Sequence, residues 1–144
     1  MDDSEIQKGI LHLQELAAFV IDKFGPLNEV EFGLNRASVE WIEGFIERAR
    51  ERRESDASVP QGLVNTLGAF LGECIAVATG GGWHWQESQQ DWGILFPSGA
   101  MAFPFTKVWR QFEGGVEGGD SIVSFYDIAV NYIATGKLSE SADG

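Results

Sequence analysis

The sequence predicts an α+β fold: three N-terminal helices, a three-stranded antiparallel meander, then two C-terminal helices. Three observations predict it. Apolar residues recur at helical spacing over residues 4–79 and alternate with small or polar residues over 83–105. Helical spacing then returns over 106–135. Glycine and proline clusters mark the switches: Gly25-Pro26, Gly80-Gly81-Gly82, Pro97-Ser98-Gly99 and Gly114-Gly115. A chain of 144 residues suits one domain, placed over residues 1–136. The acidic tail at 137–144 is expected to be disordered.

The first helix is expected over 4–24. Ser4 and Gln7 make a capping-box pair, and Ile6, Ile10, Leu13, Ala17, Val20 and Phe24 form a stripe that Leu16 widens. Gly25-Pro26 ends it, because proline lacks the amide a continuing helix needs. Residues 27–34 connect to a second helix, capped by Asn35 or Ser38 and reaching residue 54. Val39, Ile42, Phe45, Ile46 and Ala49 are its inward stripe. Its tail mixes Glu47, Arg48, Arg50, Glu51, Arg52 and Arg53, the pattern of a solvated helical face. Residues 55–60 form a polar loop.

The third helix, over 61–79, holds the most informative residues. Leu63, Val64, Leu67, Phe70, Leu71, Cys74, Ile75 and Ala78 make an apolar face. Asn65, Gly68, Ala69, Gly72, Glu73 and Ala76 make a second strip with little side-chain bulk. Each glycine costs about 1 kcal/mol against alanine in a helix interior, so close approach of another backbone should compensate. This helix should therefore be central. Glu73, at the strip's edge, needs a partner if buried. Lys107, Arg110, His84 and backbone amides qualify by type, and solvent is the alternative. Asn65 lies on the same side two turns earlier and can share a pocket with Glu73 without touching it.

After the glycine triplet, Trp83, Trp85 and Glu87 alternate with His84 and Gln86, and Trp92, Ile94 and Phe96 with Gly93 and Leu95. Met101 and Phe103 alternate with Ala100 and Ala102. The expected inner face carries Trp83, Trp85, Trp92, Ile94, Phe96, Met101 and Phe103. The other face carries His84, Gly93, Leu95, Ala100 and Ala102, and is solvated or thinly covered. A short helix over 106–112 should turn Val108, Trp109 and Phe112 inward. Asp120 should cap a last helix reaching residue 135, with Ile122, Phe125, Tyr126, Ala129, Tyr132 and Ile133 inward and Gly136 as C-terminal cap.

The order LGAFLGECI, GGGW, WGILFP, FPFTKVWRQFEGG, DSIVSFY, spanning about residues 39–126, resembles a bacterial domain family of unknown function, number 3806. That resemblance implies an α+β domain. It brings no assigned activity, cofactor or catalytic residue with it.

The formal net charge of −12 repels a nucleic-acid backbone or an anionic membrane surface and attracts a basic protein. The single cysteine, Cys74, lies in an apolar run and cannot form an internal disulfide, and no Cys/His cluster offers a metal site. The acidic N-terminus lacks a secretory n-region and no apolar run reaches the roughly 20 residues that cross a bilayer, so a cytoplasmic location is expected. No phosphate loop, nucleophile elbow, zinc motif or dinucleotide fingerprint is present, and no cofactor is expected. The sequence therefore favours a non-catalytic interaction protein, monomeric or homodimeric, such as an immunity-type protein that neutralises a basic partner. The alternative is a small-molecule binder or hydrolase built on Glu73, His84 and Lys107, with Asn65 nearby.

Overall fold

The computed structural model describes residues 1–28, 31–53 and 57–136. The expected acidic tail lies outside them, as do two residues of the first connector and three around the second loop. Helix α1 spans Asp3–Phe24 and runs into a short 3-10 turn, Gly25–Leu27. Its cap is Asp2 and not Ser4: the Asp2 carboxylate accepts from the Glu5 amide at 2.8 Å. A charged acceptor suits the positive end of a helix dipole. Helix α2 spans Arg36–Arg52. Asn35 caps it by accepting from the Ser38 amide, and the Ser38 hydroxyl donates to Asn35 Oδ1 while accepting from the Gly33 amide.

Helix α3, Gln61–Thr79, is the centre of the molecule, with α1, α2, α4 (Pro104–Gly114), α5 (Ile122–Ile128) and the sheet all against it. It is long and apolar enough, by length and composition, to cross a bilayer, which corrects the expectation that no run comes close. Half of its apolar stretch is buried inside the structure. Ala78 is exposed, against expectation. The helix stops at Gly80, whose φ of +77° is the left-handed conformation glycine adopts without a Cβ penalty.

Gly68 and Gly72 of α3 are covered as anticipated, although by aromatic rings and not by backbone. Phe105 lies on Gly68 and Trp83 on Gly72, each far inside the space a methyl group would need. The two rings touch each other, with centroids 5.7 Å apart. Trp92 repeats the device on α1, where a methyl at Gly9 would come within 2.6 Å of its ring. A tryptophan or phenylalanine contributes more buried area than the glycine forgoes, which offsets the helix penalty.

The sheet is an antiparallel meander of β1 (Gly82–Gln86), β2 (Asp91–Leu95) and β3 (Met101–Ala102). Trp83 faces Ile94 and Trp85 faces Trp92 across the first pair. Ile94 faces Ala102 and Leu95 faces Met101 across the second. Directly opposed residues share a face, so Ala102 points into the core beside Ile94 and Met101 points outward beside Leu95. The expected inner placement of Met101 and Phe103 is thus reversed with that of Ala100 and Ala102. Phe103 instead folds over Gly93 on the outer side, where a Cβ would meet its ring at 2.9 Å.

Proline opens α4, as its missing amide allows at a first helical position. Val108 and Phe112 are buried, but Trp109 is 41% exposed and Gln111 is fully buried with them. A 3-10 turn, Val116–Gly118, leads to α5, whose cap is Ser121 and not Asp120. The helix widens into a π-turn over Ala129–Ile133, closed by the Ala134 amide donating to the Ala129 carbonyl. Tyr132 turns outward there, 51% exposed, contrary to the helical stripe.

Candidate functional site

Helix α1 rides over α3 and over Trp92, and an open crevice lies along each of its flanks. The first has a volume of about 450 Å³ and is bounded by Ile10 and Gln14 of α1, Glu73, Ala76 and Val77 of α3, and Trp83 of β1. Ile10 and Gln14 are one helical turn apart and so share a flank. The second, about 330 Å³, takes His12 and Leu16 from α1, Gln61 and Asn65 from α3, and Asp91 and Trp92 from β2.

In the first crevice Trp83 Nε1–H donates to Glu73 Oε2 at 3.0 Å. The expected question of Glu73's partner is answered by a neutral indole. None of the four ion pairs among the described residues includes Glu73. His84 alternates away from Trp83 and is exposed on the outer face of the sheet. Lys107 lies on α4 with its Nζ 5.6 Å from the ring centre of Phe125. The structure therefore distributes Glu73, His84 and Lys107 over different surfaces and does not assemble them into a trio.

Asn65 is exposed and accepts from Gln61 Nε2 at 3.0 Å, in the second crevice and not beside Glu73. It stands instead with His12, exposed on the polar side of α1 as its spacing suggests, and with Asp91; neither was among the candidate site residues. Burial raises the Asp91 carboxyl pKa, against the opposing pull of the Trp92 amide that donates to it at 2.9 Å. The pairing of Trp85 with Trp92, which sets Asp91 opposite Gln86 at the end of the ladder, is the signal that fixes its position.

Charge divides the molecule. Five of the ten lysines and arginines, Arg36, Arg48, Arg50, Arg52 and Arg53, belong to α2 and its C-cap. Of the expected solvated tail, Arg48, Glu51 and Arg52 are exposed, whereas Glu47, Arg50 and Arg53 are engaged, as is Arg36 at the start of the helix. Arg36 grips Asp127 of α5 through two bonds of 2.8 Å and also reaches Glu40. Arg50 Nε donates to the Phe112 carbonyl at 3.1 Å, Arg53 pairs with Glu113 at 3.6 Å, and Arg48 covers the Trp41 ring. Glu47 accepts from Gln111 Nε2 and from the Val116 amide, and Glu43 from the Ser121 hydroxyl and the Val123 amide. The four ion pairs among the described residues all lie on α2 and the elements against it.

A group of carboxylates gathers at the α1 start and the β1–β2 turn. Asp2, Asp3 and Glu5 crowd the start of α1, with Glu87 in the β1–β2 turn and Asp91 beyond it. None of the five is in an ion pair among the described residues. The Glu87 carboxyl pKa is lowered by hydrogen bonds from Trp85 and Gln90, and also by the nearby N-terminal ammonium, which places the α1 start beside this turn. Lys8 is the only lysine or arginine in the first half of α1. Among the described residues no three of His, Cys, Asp and Glu stand together to hold a metal ion. No family model, curated protein or solved structure matches the chain.

Proposed function

We propose that this chain is a non-catalytic, cytoplasmic interaction protein that binds a basic protein through the carboxylates at the α1 start and the β1–β2 turn. An immunity-type role, neutralising a basic partner, is the specific version. Membership of the family numbered 3806 belongs to the same proposal. One observation carries it: Asp2, Asp3, Glu5 and Glu87 gather at the α1 start and the β1–β2 turn and are in no side-chain ion pair among the described residues, while Arg36, Arg50 and Arg53 of α2 and its C-cap are engaged by carboxylates and carbonyls. Such a field steers an oppositely charged partner and selects its orientation. The reading as a small-molecule binder or hydrolase built on Glu73, His84 and Lys107 gains nothing from residues placed on separate surfaces.

Paired charge reversals test the reading. The Asp3→Lys/Glu87→Lys variant and the Glu51→Lys/Glu117→Lys variant change net charge equally. Affinity for a dye-labelled peptide of alternating lysine and alanine is measured at low salt. The first variant is expected to bind at least about tenfold more weakly and the second to stay within about threefold of the parent. Equal losses would mean that the peptide senses only overall charge, against a docking face.

A further inference from the structure

We propose that the crevice between α1, α3 and β1 is a socket for one ammonium or guanidinium group carried on an apolar stem. That is the chemistry of a lysine or arginine side chain. If the function proposed above holds, the socket receives an anchor residue of the basic partner.

The Glu73 carboxylate is half-buried, yet the partner the fold gives it is a neutral donor, Trp83 Nε1–H at 3.0 Å. A neutral hydrogen bond orients a carboxylate but leaves its charge uncompensated, and a crevice strengthens its pull on a cation relative to open water. Among the described residues no lysine or arginine lines the crevice. The carboxylate is also fixed in place. Trp83 is wedged onto Gly72 and against Phe105, so the donor cannot swing away, and the acceptor sits on the middle helix of the core. Preorganisation of this kind lowers the ordering cost of binding.

The remaining walls fit the stem. Ile10 and Ala76 are apolar, and Val77, 64% exposed, forms a rim that nothing covers. Methylene groups of a long cationic side chain lie along such surface while the head reaches a charge. Gln14 adds a carboxamide that can accept a second bond from the head. The volume of about 450 Å³ is ample for one side chain entering from solvent.

The test uses amide and indole N–H spectra of the full chain, titrated at low ionic strength with n-butylammonium, n-butylguanidinium and neutral n-pentanol. Both cations are expected to move the Trp83 indole signal and the amides of Val77, Gly81 and Gly82, and pentanol to leave them in place. Glu73→Gln keeps an acceptor for Trp83 and removes the charge, and it should weaken cation binding at least about tenfold. Should that variant lose its dispersed spectrum, Ala76→Leu fills the crevice from the apolar side and carries the same expectation. Cations that bind Glu73→Gln as tightly as the parent, or that shift only other regions, overturn the socket. The lysine–alanine peptide separates the two claims. If it shifts the α1 start and the β1–β2 turn but leaves the Trp83 indole still, the docking face stands and the socket is overturned. If the small cations bind and the peptide does not, the socket stands for free amines and the partner reading falls.

Discussion

Gly72 and Gly68 have no side chains because Trp83 and Phe105 occupy that space. A methyl at Gly72 would overlap the Trp83 ring, and the ring is held by Phe105 and by its bond to Glu73. Gly72→Ala is therefore expected to destabilise the fold by about 1–3 kcal/mol in denaturant titration, the range for overpacked cores. Gly62, on the same helix with open space around it, serves as the control. Gly62→Ala should leave stability unchanged or raise it by up to about 1 kcal/mol. The anomaly of two glycines in an apolar helix was legible in the sequence. The rings were not, because spacing within one helix does not say which later residue will land on it. Cys74 behaves as an apolar run suggests: burial, helped by the charge of Glu73, pushes its thiol up to about 12. At pH 8 it should resist alkylation in the native protein and react only in denaturant, as mass spectrometry of the adduct would show.

At the scale of elements, helices were readable from periodicity and strand registers were not. The three strands were evident from alternation, yet β3 presents the opposite face from that expected. The connection after Leu95 brings Ala102 opposite Ile94, and a shift of one residue inverts a strand. The charged tail of α2 was only partly legible for a related reason: Arg48, Glu51 and Arg52 are exposed as expected, but Glu47, Arg50 and Arg53 are engaged. Helical spacing shows that charges share a face but not that Phe112, Glu113 and Gln111 stand opposite it. Gln111 joins these elements: its Nε2 donates to Glu47 and its Oε1 accepts from the Ile122 amide at 2.9 Å. Gln111→Leu strands both partners, and an unsatisfied buried group costs about 1–3 kcal/mol, so a clear fall in melting temperature is expected. The Arg36 clamp lowers the Asp127 pKa, through its hydrogen bonds first. That stabilisation is present above the unfolded aspartate value near 4 and is lost as pH falls through the lowered folded value. Asp127→Asn should flatten the acid limb of a stability–pH profile. Asp91 runs the other way. Its pKa is raised by burial, so its contribution is greatest below about pH 4 and is lost as pH rises through the folded value. Asp91→Asn should remove that loss.

The whole molecule is a helical core keyed by aromatic rings, with Arg36, Arg50 and Arg53 tied down at α2 and its C-cap, and a group of carboxylates in no ion pair among the described residues at the α1 start and the β1–β2 turn. The acidity was plain from composition, but its asymmetry was not, because pairing depends on which helices meet. The candidate site was half legible. Glu73 stood out as a carboxylate on a crowded helix, whereas His84 and Lys107 were grouped with it only by chain proximity. A strand sends His84 to the face opposite Trp83, and α4 carries Lys107 toward Phe125. The most direct test of the central claim is a residue-resolved map of where the lysine–alanine peptide binds the unmodified chain, at low salt and again at about 0.5 M salt. Shifts confined to the α1 start, the β1–β2 turn and the adjoining crevice, vanishing in high salt, are the predicted result. A footprint on α2 and α5, or one that persists unchanged in high salt, would contradict the account.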